Sequence, residues 1–163
     1  MVLRQIRQEL ADTLRAMAAG GLVQGTEGNA SARAGELVAI SPSGLAYDTL
    51  RAEDVCLVTP AGELVEGPRP SVELPMHLAV LAARPDVGAV VHTHSPRATA
   101  NPPAPVADGR SGSPELGAAV VAAAGEGHEV VMRAHGPVCF GRDLAEALAR
   151  AFDLEARARQ EES

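Results

Sequence analysis

The chain has 163 residues and a formal net charge of −7, with 46% apolar and only 2% aromatic residues. That length fits one domain with a real core. No apolar run nears the ~18 residues of a membrane helix, and an acidic chain with dispersed basic residues and few stacking rings is not built to bind nucleic acid.

All 14 basic residues are arginine. Without lysine there is no Schiff-base amine and no P-loop lysine, so carbanion chemistry here must rest on a metal or on preorganised hydrogen bonds. The first residues form an amphipathic pattern and not the apolar core of a signal peptide, which leads us to expect a cytoplasmic protein. Cys56 and Cys139 lie in apolar, strand-like runs and are expected to be buried free thiols.

In chain order, Leu3, Ile6, Leu10, Leu14 and Met17 make one helical stripe over 2–19, ended by Gly20 and Gly21. A polar loop of small residues, GTEGNAS, follows at 25–31, then a strand over 36–40 and the turn SPSG at 41–44. Asp54–Thr59 and Glu63–Glu66 read as a hairpin turned by Pro60-Ala61-Gly62. A helix is expected over 71–84, with Pro75 in its first turn, where a missing amide costs least.

Asp86–Ser95 opens with Val87, Ala89, Val90 and Val91, a strand buried on both faces. Pro96–Gly112 is rich in Pro, Gly, Ala and Ser and reads as loop. Helices over 114–124 and 142–159 flank a strand over 129–133 that runs into Ala134-His135-Gly136. One layered α/β domain is expected.

The histidines carry most of the chemistry. His92 and His94 are two apart on an expected strand, so their rings share a face. His135 ends another apolar strand. If those strands are neighbours, three imidazoles converge and leave an open position, as at catalytic zinc. Glu73, at a helix start, suits the helix dipole and could equally serve as a general base beside a metal. His77 lies one turn after Glu73 and reads as its hydrogen-bonding partner on the helix face; His128 has no assigned role. Gly25, Gly28, Asn29 and Ser31 in one loop, Ser41, Ser43 and Gly44 in another, and the hydroxyl and amide of Ser71 at a helix N-terminus offer donors suited to phosphate.

The strings GLVQGTEGNASAR, ISPSG, PSVELPMHLAVLAARPDVGAVVHTHS and RAHGP together resemble the class II aldolase/adducin family, with L-fuculose-1-phosphate aldolases and L-ribulose-5-phosphate 4-epimerases as the nearest types. The resemblance implies a three-layer α/β/α fold around a central sheet and a homotetramer with sites at subunit interfaces. It implies that His92, His94 and His135 bind Zn2+, or another divalent ion such as Mn2+ or Co2+. Glu73 is implied as the catalytic acid/base. Gly28, Asn29, Ser43, Gly44 and Ser71 are implied to line the phosphate pocket of a small phosphorylated sugar. The implied reaction is aldol cleavage to dihydroxyacetone phosphate and an aldehyde through a zinc-stabilised enediolate. Epimerase or dehydratase chemistry on the same scaffold, or a non-catalytic adducin-like module, are the alternatives.

Three departures stand out. Val72 occupies the place of a second hydroxylic residue in the phosphate pocket. The segment between the histidine pair and His135 looks shortened by roughly twenty residues near Ala100–Pro102, judged from motif spacing. The tyrosine that the family carries there is missing, as is a C-terminal extension with another; Tyr47 is the single tyrosine and lies near the SPSG turn.

Overall fold

A computed structural model describes residues 2–161. Helix α1 (Val2–Ala19) leads into strands β1 (Asn29–Ala34) and β2 (Leu37–Ile40). A single turn of 3-10 helix at 52–54 precedes the hairpin β3 (Cys56–Val58) and β4 (Leu64–Glu66). Then come α2 (Leu74–Ala83), β5 (Ala89–His92), α3 (Pro96–Ala100), β6 (Val106–Ala107) and α4 (Pro114–Ala124). β7 (Glu129–Met132), β8 (Gly136–Gly141) and α5 (Leu144–Glu161) complete the domain.

The eight strands form one sheet in the order β4-β3-β2-β1-β5-β8-β7-β6. All neighbours are antiparallel except β6 and β7. Alternation along the strands sends successive side chains to opposite faces. Ala30, Ala32, Ala34, Ala89, Val91 and Cys139 therefore meet α1 and α5 through Leu10, Leu14, Met17, Ala151 and Leu154. Val90, Val138 and Phe140 meet α2 and α4 through Met76, Val80, Leu116 and Val120. The result is the expected α/β/α sandwich. Cys56 and Cys139 are buried and free. Among the described residues no helix is long and apolar enough to cross a membrane.

Three local expectations are corrected. The loop expected over 25–31 gives way at Asn29 to a central strand. Its alternating partners are alanines, which carry little β signal but let α1 pack close. The loop expected over 96–112 contains α3 and the edge strand β6. The Glu155 carboxylate, buried on α5, stabilises the first turn of α3 by accepting the Arg97 and Ala98 amides at 3.1 and 3.0 Å. Finally, the strands bearing His92 and His135 are not neighbours, because β8 lies between β5 and β7. Residues 136–141, which hold the apolar run around Cys139, form that strand and pair with both.

Candidate metal centre and the cavities beside it

β5 ends at His92, so His94 lies beyond the strand and not two places along it. Its amide donates to the Leu22 carbonyl at 3.1 Å, which ties that stretch to the end of α1. His135 comes from the turn that reverses β7 into β8. Ala134 there has φ 55°, a left-handed conformation unusual for a residue with a side chain. Gly136 has φ 154°, and a Cβ on it would sit 2.0 Å from the Thr93 carbonyl oxygen. The turn thus packs directly on 93–94 and delivers His135 to the other two rings.

The three ring centroids lie 4.7–5.1 Å apart. One ligating nitrogen from each falls within 4.8 Å of the others. His92 Nδ1 donates to the Pro137 carbonyl at 2.8 Å. A carbonyl can only accept, so this bond fixes the tautomer and leaves Nε2 with its lone pair. That lone pair lies 3.2 Å from His135 Nε2. The Glu73 carboxylate closes the group, 3.1 Å from His92 Nε2 through Oε2 and 3.1 Å from His135 Nε2 through Oε1. Acceptors converging on one point in this way repel each other unless a cation or proton lies among them. Three neutral imidazoles with a carboxylate alongside are a fitting donor set for a divalent ion. Burial pushes the His94 and His135 rings down, His135 to about 4, which keeps them in the ligating form at neutral pH.

Glu73 sits immediately before α2, with its amide donating to Ser71 Oγ at 3.2 Å. The residue is 4% exposed. Burial alone would raise the carboxyl, but a proton or cation shared with the His92 and His135 rings, together with the Asn29 amide, holds it well below the usual carboxylate range. Asn29 Nδ2 donates to Oε2 at 2.8 Å and Ser111 Oγ to Oε1 at 3.1 Å.

A cavity of ≈ 320 Å³ adjoins Glu73, His94 and His135. Gly28, Asn29, Ser43, Gly44 and Ser71 all line it, together with Val72 and Ser111. No arginine does, so its donors are neutral. Gly28 is required by geometry: at φ 69° a Cβ would lie 2.7 Å from the His92 carbonyl oxygen. Ser71 offers the cavity its hydroxyl only, because its amide is bound to the Ser41 carbonyl at 3.0 Å. A second cavity of ≈ 640 Å³ meets the first at Glu27, His94 and His135. Pro96, Ala100, Pro102, Val106 and Ala134 line much of it.

Other sequence expectations change. Ser31 and Ser41 are wholly buried away from the cavity. His77 does not bond the Glu73 side chain from an exposed helix face. It is wholly buried, with Nδ1 2.6 Å from Ser31 Oγ and Nε2 2.5 Å from Asn29 Oδ1. Burial pushes its ring down to about 3, so it is neutral. The apolar run around it in α2 was a usable signal, since a histidine there needs buried partners. Tyr47 is buried, with its phenol held by the Gly28 carbonyl and pushed up to about 12 by burial. It is committed to the loop and cannot stand in for the missing tyrosine. His128 lies near Arg84 and Asp86, outside both cavities.

The profile of the class II aldolase and adducin N-terminal domain matches residues 8–102 and 101–161. A 5-deoxy-D-ribulose 1-phosphate aldolase of Bacillus thuringiensis is 48% identical over 101 residues, 60% of this chain and 47% of that protein. A 5-methylthioribulose-1-phosphate/5-deoxyribulose-1-phosphate aldolase of Rhodospirillum rubrum is 38% identical over 177 positions, 95% of this chain and 79% of that one. Since 95% of 163 residues is about 155, at least roughly twenty of the 177 positions have no residue here. The family match itself breaks at 101–102, where the sequence looks shortened. A solved L-fuculose 1-phosphate aldolase superposes with a TM-score of 0.90 at 28% identity, over 95% of this chain and 84% of that one. The two matched segments take in the whole site, from the Gly28 loop to the His135 turn, and the chain belongs to the class II aldolase and adducin N-terminal domain family.

Proposed function

We propose that the chain is a metal-dependent aldolase that cleaves a ketose 1-phosphate to dihydroxyacetone phosphate and an aldehyde. The observation that carries this reading is the convergence of His92, His94, His135 and the Glu73 carboxylate on one point, beside a cavity lined with neutral donors. A divalent ion held by the three imidazoles, zinc in our reading, would polarise the ketose oxygens and carry the charge left as the carbon–carbon bond breaks.

The protein's own groups do the rest. The Ser43 and Ser71 hydroxyls and the Asn29 amide would hold the phosphate, with Gly28 and Gly44 allowing close approach. Glu73, ionised at rest, would take up the proton that the hydroxyl at the cleaving bond releases as the aldehyde forms and deliver it to the donor carbon, and the reverse direction would run the same transfer backward. The part of the sugar beyond the broken bond would enter the ≈ 640 Å³ cavity. Its Pro, Ala and Val walls suit the terminal methyl of 5-deoxyribulose 1-phosphate better than a fully hydroxylated chain. That substrate is therefore the first to try, and fuculose 1-phosphate the second. A homotetramer and a cytoplasmic location belong to the same reading and rest on family resemblance.

The test combines metal content by mass spectrometry with product analysis by NMR. About one divalent ion per chain and release of dihydroxyacetone phosphate are expected. Epimers in place of fragments would move the assignment to an epimerase. No turnover of any ketose phosphate by metal-loaded protein would overturn it.

A further inference from the structure

We propose that His77, a residue that touches neither cavity, is a positioning residue that anchors Asn29 with its NH2 toward Glu73 and through it holds the orientation of that carboxylate. The inference rests on the aldolase reading for its kinetic consequences, though its structural basis does not.

Ser31, His77, Asn29 and Glu73 form a buried, fully paired chain from β1 through α2 to the metal centre. Asn29 and Ser31 lie two apart on β1 and so share the face that meets α2. His77 bridges them, through Nδ1 to Ser31 Oγ and Nε2 to Asn29 Oδ1. An amide oxygen cannot donate, so Nε2 carries the ring hydrogen. Nδ1 must then accept, and the Ser31 hydroxyl must donate. Asn29 Oδ1 is thereby occupied on the protein side, and the NH2 group is what Asn29 turns to Glu73, 2.8 Å from Oε2. Were Asn29 flipped, its oxygen would face the acceptor-only Glu73 carboxylate, so the NH2 faces Glu73 and Oδ1 is left to the His77 ring N–H. The His77 Nε2–H, bound to Oδ1, holds the amide in that orientation.

The consequence reaches both halves of the site. Asn29 lines the ≈ 320 Å³ cavity as a donor, matched to an anion. Glu73 is held by a neutral donor that does not compete for its proton. No apolar residue at 77 could do either, and among the described residues no buried side-chain polar atom lacks a partner.

The test uses the full chain with its metal. His77→Leu removes the donor, whereas His77→Gln keeps an N–H near the position of Nε2. Removing it is expected to lower kcat ~10–100-fold, the scale of a roughly 1 Å misplacement of a reacting group, with KM for the ketose phosphate rising less. Binding of inorganic phosphate, followed by calorimetry, should weaken several-fold. His77→Gln should recover most of both. A folded, metal-loaded His77→Leu protein with wild-type kcat and phosphate affinity would overturn the proposal. If that variant does not fold, 15N NMR of the wild-type imidazoles decides. The Nε2–H tautomer at residue 77 supports the proposal, and the Nδ1–H tautomer or a charged ring refutes it. A wild-type protein that binds phosphate but cleaves nothing would sink the aldolase reading while leaving the tautomer and phosphate measurements to judge His77.

Discussion

The two sides of the metal centre are built differently. On one side Asn29, Ser31, His77 and Glu73 are buried and each polar group has a named partner. On the other, α3 and the residues before β6 present exposed small apolar side chains around an open cavity, where the family match breaks. Buried polar networks are costly to disturb, because a lost partner leaves a desolvated group behind. Open walls of proline and alanine can change at little cost. On the proposed aldolase reading, anion holding and proton transfer would fall on the rigid side. Selection among substrates would then belong to the open side.

Removing the metal should affect everything on the rigid side. Paired replacement of His92 and His94 by alanine is expected to abolish stoichiometric metal binding, measured by mass spectrometry, and to cut turnover by ~10³-fold or more. A double variant that still held its ion would show that the rings are not the ligands. Glu73→Gln keeps the volume and a hydrogen-bond acceptor but loses the base. Metal content should persist while kcat falls ~10²–10⁴-fold.

The buried network also predicts a pH dependence. The His77 ring is pushed from 6.5 down to about 3 in the folded protein. Between those values the unfolded chain takes up a proton that the folded chain refuses. Stability is therefore level above about pH 6.5 and falls as pH drops toward 3, by up to ~1.4 kcal/mol per pH unit from this group. Urea titrations of the wild type and of His77→Gln should differ in slope across that window. Equal slopes would place the acid sensitivity elsewhere.

The smallest effect is expected on the open side. Ala100→Asp at the exposed end of α3 should leave stability within ~0.5 kcal/mol and phosphate affinity unchanged. Its kcat/KM for an aldehyde ending in a methyl should fall ~10-fold relative to a hydroxylated one, of the order of a single misplaced group in an apolar pocket. An unchanged ratio would mean that the sugar's far end does not enter this cavity.

The sequence by itself determined the amphipathic helices, whose stripes at spacings of three and four survive without tertiary context. It also pointed to three histidines that the structure brings together. His92, His94 and Glu73 stand close to apolar runs that end abruptly, and His135 follows another such run. The donors Gly28, Asn29, Ser43, Gly44 and Ser71 carry little pattern of their own and became legible through family resemblance. What only the tertiary structure decided was pairing. β1 is alanine-rich and lacks the β-branched alternation that marks a strand, and the apolar run of β8 does not say which strands it joins. Both exist because they fill places between β2, β5 and β7. That insertion makes His135 reach the centre through a strained turn and not along a neighbouring strand. Pairing likewise gave His77, Ser111 and Tyr47 their partners, residues 48, 38 and 19 positions away. Hydrogen bonds across such separations depend on how layers stack, and periodicity along the chain records only which face a residue takes.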